Sequence, residues 1–216
     1  MIKITNSLNL KRLKNWKYLG AFLGMIGGIQ FIIITIIAMI IYPGGYSFWE
    51  NYFSELGTTV SVTNGQPNTT GYIMFAIVCT VSAIFLIPFM LSLRTVFTEK
   101  KASLYISTLG TVLGLIMAPF LSLLALLPPD ILMEQHMIAT RIFFLFCALT
   151  IVVYSIAILF NDIYEKTYAY FGIAIGIYVM VHLLVLLYNA VSQKFTVYIM
   201  ITWIIIQGFK LWKVLE

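Results

Sequence analysis

The sequence predicts an all-α polytopic membrane protein: a six-transmembrane-helix bundle with a short interfacial helix in the first external loop. Three observations predict it. Six long apolar stretches fill most of the 216 residues. Charged residues are 10% of the chain, against about 25% in soluble domains, so lipid must cover most of the surface. The basic residues also gather at alternate junctions between the stretches. A spanning helix needs ~20 apolar residues. The stretches lie at 19–42, 71–97, 104–127, 137–160, 168–188 and 195–211. Only short connectors separate them, so residues 1–216 read as a single membrane domain with no soluble module.

The first stretch is too long for the apolar core of a signal peptide. Tyr42-Pro43-Gly44-Gly45 is also a poor cleavage site, so it reads as a retained helix. Lys3, Lys11, Arg12, Lys14 and Lys17 precede it. Arg94, Lys100 and Lys101 mark the junction of the second and third helices, Lys166 that of the fourth and fifth, and Lys210 and Lys213 close the chain. The long connector 43–70 has no Lys or Arg. The positive-inside rule therefore predicts a multi-pass protein of the cell membrane with both termini cytoplasmic. Loops 43–70, 128–136 and 189–194 would be extracytoplasmic. The net charge of +5 is accounted for by topology and by attraction to anionic headgroups, which argues against nucleic acid as a partner.

Small residues recur in the odd-numbered helices. Gly20, Gly24 and Gly28 fall in the first, Gly110, Gly114 and Ala118 in the third, Gly172 and Gly176 in the fifth. At this spacing helix backbones can approach closely. The expectation is a bundle tight at its cytoplasmic end. The same faces are candidates for contact with a second copy of the chain or another membrane protein. Cys79 and Cys147 fall inside spans and read as small buried apolar residues.

In the first loop, Ser47 with Glu50 three residues on is a capping-box pattern, and Gly57 can end the helix in a left-handed turn. Phe48, Trp49, Tyr52, Phe53 and Leu56 share one arc of that helix. Glu50, Asn51, Ser54 and Glu55 share the other. Residues 58–70, rich in Thr, Asn and Gly, read as an ordinary flexible loop.

The groups able to do chemistry fall in the outer third. In the second loop, Pro128 and Pro129 stop the third helix and Asp130 can cap a following turn. Glu134 and His136 follow, and Arg141 lies one turn into the fourth helix, able to snorkel or to pair with Glu134 or Asp130. His182 lies within the fifth span, with Tyr178 and Asn189 on its face. An ionisable residue inside a membrane marks a functional site by default, with a metal, a proton or a lipid headgroup as its partner. No GxSxG, P-loop, dinucleotide fingerprint or HExxH spacing is present.

The loop segments Tyr42-Pro43-Gly44-Gly45-Tyr46-Ser47, Ser54-Glu55-Leu56-Gly57 and Leu127-Pro128-Pro129-Asp130 followed by His136 resemble those of the domain-of-unknown-function 998 family of prokaryotic membrane proteins. That family's pattern is a tyrosine-proline element, S-[ED]-L-G, and F-P-x-D followed by His; Leu127-Pro128 stands here where Phe-Pro is usual. A more distant similarity is to the damage-regulated autophagy modulator proteins, through the S-D-x-G segment after their first helix. The resemblance implies a role for Ser54, Glu55, Gly57, Asp130 and His136, though no activity.

The leading expectation is an outward-facing polar pocket that recognises a lipid headgroup or small amphiphile. Arg141 and His182 would contact an anionic group, while Ser54, Glu55, Asp130 and His136 hold the loops above. Membrane lipids are the expected partners. The alternative is a membrane-embedded lipid hydrolase in which Asp130, His136 and His182 hold zinc and Glu55 acts as general base. A purely structural or assembly role would leave the same groups as caps and ion pairs.

Overall fold

A computed structural model describes residues 10–216. Lys3 of the basic N-terminal group lies outside the described residues, as does the side chain of Lys11. Among the described residues, six helices are long and apolar enough to cross a membrane. They are α1 (Trp16–Ile40), α2 (Thr69–Arg94), α3 (Lys101–Leu126), α4 (Met133–Leu159), α5 (Lys166–Val181) and α6 (Ala190–Val214). A π turn, His182–Leu186, extends α5. No strand occurs among the described residues; one isolated antiparallel bridge joins Val60 to Pro67.

All six helices start earlier than hydropathy predicts, and the shift is largest in α4 and α6. α4 begins at Met133, so Glu134, Gln135 and His136 are its first turn rather than loop. α6 begins at Ala190 because Asn189 caps it, its Oδ1 accepting from Ser192 N at 2.8 Å. Ser192, Gln193 and Lys194 are therefore helical and buried. Their polarity had masked the helix, because hydropathy scores a polar residue by its cost in lipid and these face protein.

Each helix packs on the next, and α6 closes the ring on α1. Contacts between the ends divide the bundle into two poles. At one pole Arg12 pairs with Glu216, Lys100 with Asp162 and Lys210 with Glu165. This basic end also carries Lys17, Arg94 and Lys101. At the other, here the loop end, the 41–68 connector meets the start of α6 and the α3–α4 turn.

The glycines allow the close approach that their spacing predicts. A Cβ on Gly20 would stand 2.5 Å from the carbonyl oxygen of Pro88 in α2, and one on Gly110 would stand 2.8 Å from the Tyr154 ring in α4. In lipid such packing replaces the hydrophobic drive between helices.

The first loop differs from the predicted amphipathic helix. Only Phe53–Gly57 forms a short helix, of 3-10 type. Asn51 rather than Glu50 closes the turn, its Oδ1 accepting from Ser47 N at 2.8 Å. The apolar arc splits, with Phe53 and Leu56 buried while Phe48 and Trp49 stay exposed. Gly57 has no positive φ. It is needed for space, since a Cβ there would stand 2.7 Å from the Phe75 ring. Residues 58–68 are held by hydrogen bonds. The Asn68 amide donates to the Thr58 carbonyl at 3.0 Å and the Leu56 carbonyl at 3.3 Å.

Gly20→Ala is expected to destabilise the protein by about 1–3 kcal/mol, because the obstructing atom is backbone and cannot rotate away. Thermal unfolding in detergent checks this, and an unchanged midpoint contradicts the packing described.

Candidate functional site

The ring of helices encloses a cavity of about 80 Å³. Helices α1, α2, α3, α4 and α6 line it, and Phe53 and Ser54 of the 3-10 turn roof it at the loop end. Its wall runs from His136 to Cys147 on α4 and from Gln193 to Ile204 on α6, a length of ~16 Å along each helix at ~1.5 Å per residue. The wall is almost wholly apolar, with Phe31, Phe75, Phe143, Phe144 and Met200 prominent. Its lining also includes the half-buried Leu23, Phe85 and Ile204 of α1, α2 and α6.

Polar groups collect at the roof: Ser54, His136, Thr140 and Gln193. His136 is 2% exposed, and its Nδ1 lies 2.8 Å from the Leu124 carbonyl and 2.9 Å from the Leu127 carbonyl. Only a protonated nitrogen can bond a carbonyl, so Nδ1 carries the hydrogen and the neutral ring keeps Nε2 as an acceptor. Thr140 lies one helical turn further on the same face, and its buried hydroxyl has no partner. Gln193 accepts the Phe53 N–H through Oε1 at 2.8 Å, which fixes the roof turn and leaves its NH2 to donate.

The other expected site residues go elsewhere. Asp130 does not cap a helix: the residue before α4, Leu132, has no side-chain cap. Its carboxylate accepts from Thr59 N at 3.0 and 2.9 Å, from Thr59 Oγ1 at 2.6 Å and from Val60 N at 3.2 Å. Burial pushes its pKa up, but these hydrogen bonds together outweigh that and hold it below the usual carboxylate value. Glu55 is half-buried and accepts from Asn51 Nδ2 at 2.6 Å. Arg141 is exposed and makes no ion pair with Glu134 or Asp130. It donates to the Tyr188 hydroxyl at 3.1 Å, in a groove formed with Leu183, Leu184, Val185 and Leu187.

His182 is fully buried. Its Nδ1 lies 2.9 Å from Ser192 Oγ, which lies 3.3 Å from the Tyr178 hydroxyl. Its Nε2 has no partner, and the ring meets Phe144 edge-on at 5.1 Å. His182 does not line the cavity, whereas Phe144, against its ring, does. The predicted face of Tyr178, His182 and Asn189 is thus assembled, with Ser192 at its centre. The zinc set is not: among the described residues no three His, Cys, Asp or Glu side chains are grouped to hold a metal ion. The physical reason is that Asp130 is turned to the first loop, the His136 Nδ1 to carbonyls at the end of α3, and His182 to α6.

Lys194 is the largest omission from the sequence reading. It is 0% exposed at the start of α6. Its ammonium donates to the Asn51 carbonyl and, at 3.1 Å, to the Ala190 carbonyl. It lies 5.5 Å from the Tyr46 ring centre and 5.3 Å from that of Phe48. Tyr46, raised in pKa by burial and then by nearby Glu55, stays a phenol and donates to the Tyr52 carbonyl at 3.0 Å. One signal points to Lys194: it is a cation in a connector where topology asks for none. Thr140 gave none, since a lone threonine in an apolar span is ordinary.

Six spanning helices around a roofed apolar cavity define a multi-pass integral membrane protein. Over residues 25–210 the chain matches the model of the family described as "Protein of unknown function (DUF998)", and it belongs to that family. No curated protein and no solved structure matches it.

Because the folded pKa of Asp130 is depressed, its contribution to stability is present above the unfolded value, ~3.9, and is lost as pH falls through the folded value. The melting temperature is expected to drop below about pH 4. In Asp130→Asn the midpoint at pH 7 is lower and this part of the acid dependence disappears. A variant with the wild-type pH profile excludes the assignment.

Proposed function

We propose that this protein takes up a small single-chain amphiphile from the membrane, with the chain in the central cavity and the head beneath the roof. The cavity carries the reading: an apolar space lined along about three turns of α4 and α6 that ends in four uncharged polar side chains. Ligand sites are typically concave and mainly apolar, with a few convergent polar groups. The half-buried Leu23, Phe85 and Ile204 offer a way in from lipid. Membrane lipids are the partners in this reading. The basic end faces the cytoplasm of a cell membrane and the roof faces outward. Ser54 and His136 serve the ligand directly. Glu55 and Asp130 serve it through the loop they hold.

A second contact is supported by the Arg141 groove. An exposed guanidinium beside the Tyr188 hydroxyl, above four aliphatic side chains, suits an anionic lipid head at the membrane surface. In this reading Arg141 acts alone, because His182 is enclosed. Arg141→Gln is expected to lower retention of anionic lipid in native mass spectrometry and to leave uptake by the cavity unchanged.

The main reading is tested with a single-chain lipid bearing a diazirine in its chain, photolysed in membranes. Adducts are expected on α4 and α6 residues of the cavity wall, such as Phe144 and Met200. Cys79→Leu fills the cavity, so adduct yield falls several-fold while thermal stability holds or rises. Adducts confined to lipid-facing residues would count decisively against the proposal.

A further inference from the structure

The polar cap of the cavity has a defined set of unfilled hydrogen bonds. His136 donates Nδ1–H to the carbonyls of Leu124 in α3 and of Leu127 just after it, so its Nε2 accepts. Thr140 is 4% exposed, lines the cavity, and its buried hydroxyl has no partner. Gln193 accepts from Phe53 N–H, which leaves its amide hydrogens to donate. The cap thus offers both acceptors and donors, and a bound head must complement both.

Charge narrows the ligand further. Among the described residues none that lines the cavity is charged. The nearby ionisable groups are already engaged: Glu55 by the Asn51 amide, Asp130 by Thr59, Lys194 by backbone carbonyls. A phosphate, carboxylate or quaternary ammonium drawn beneath the roof would lose its water and find no counter-ion. A neutral hydroxyl meets no such penalty. Its proton goes to His136 Nε2, and its oxygen accepts from Thr140 or Gln193.

We propose that the cavity selects a single-chain amphiphile with an uncharged, hydroxyl-bearing head, held by His136, Thr140 and Gln193. This rests on the reading of the cavity as an amphiphile site. A long-chain alcohol and a monoacylglycerol share the required chemistry. Phospholipids and lysophospholipids do not.

The test uses four probes with one oleyl or oleoyl chain: oleyl alcohol, 1-oleoylglycerol, lysophosphatidic acid and lysophosphatidylcholine. Each is offered at equal concentration to the purified full-length Arg141→Gln protein, whose outer groove no longer holds anionic heads, and retention is read by native mass spectrometry. Thr140→Val, made in this background, serves as the variant, because it keeps the shape and removes a hydroxyl that bonds nothing in the protein. The two neutral probes are expected to bind at least ~10-fold more tightly than the charged ones. Thr140→Val is expected to weaken the neutral probes by ~3–10-fold, the worth of one hydrogen bond, and to leave the charged probes unchanged. Retention of the neutral probe that bears a glycerol but not the alcohol assigns the site to monoacylglycerol; the reverse assigns it to the alcohol. Charged probes held as well as neutral ones overturn the inference while the amphiphile site stands. So does a Thr140→Val protein that binds every probe like its parent. No probe retained by the folded protein overturns the site itself.

Discussion

The 41–68 connector has no sheet ladder and little helix to satisfy its backbone, yet it covers the mouth of a bundle where water is scarce. Buried N–H and C=O groups must then find partners in side chains. Asp130 from the α3–α4 turn takes the amides of Thr59 and Val60, Gln193 from α6 takes the amide of Phe53, and Lys194 donates to the carbonyl of Asn51. Asn68, at the start of α2, donates to the carbonyls of Leu56 and Thr58. Four points on three parts of the bundle thus fix one loop. The roof, the cavity beneath it and the placement of Ser54 all follow from this pinning.

The division of labour among polar residues has an electrostatic logic. Charged groups at the loop end hold backbone or sit at the outer surface, and neutral groups face the cavity. A carboxylate beneath the roof would need a cation beside it, and the cation nearest the roof is buried among carbonyls and aromatic rings. His136 fits the neutral side of this division because its bonds to carbonyls at the end of α3 fix one tautomer. His182 resembles it in type but not in role: it joins α5 to α6 through Ser192, at a π turn that shifts the helix register.

Much of this was legible in the residues. The helices follow from apolar length, and the close approach of α1 and α3 to their neighbours from the glycine spacing, though not which neighbours these are. Other features were hidden for identifiable reasons. Asp130 looked like a local helix cap because sequence shows only neighbours, and its partners are Thr59 and Val60 in a distant loop. Ser47 and Glu50 matched a capping box, but Asn51 competes for the same amide with a shorter side chain. Gln193 and Lys194 were placed outside the last helix because their polarity ended the hydropathy window.

By itself the sequence determined six membrane helices, the pole at which the basic residues gather, and the family to which the chain belongs. These depend on local composition, on the thickness of lipid and on short motifs, all readable one segment at a time. Only the tertiary structure decided which polar side chains face the cavity and which hold the loop. That choice depends on the order of helices around the ring and on the rotation of each about its axis. Both are set by contacts between residues far apart in the chain, such as Gly20 against Pro88 and Phe53 against Gln193.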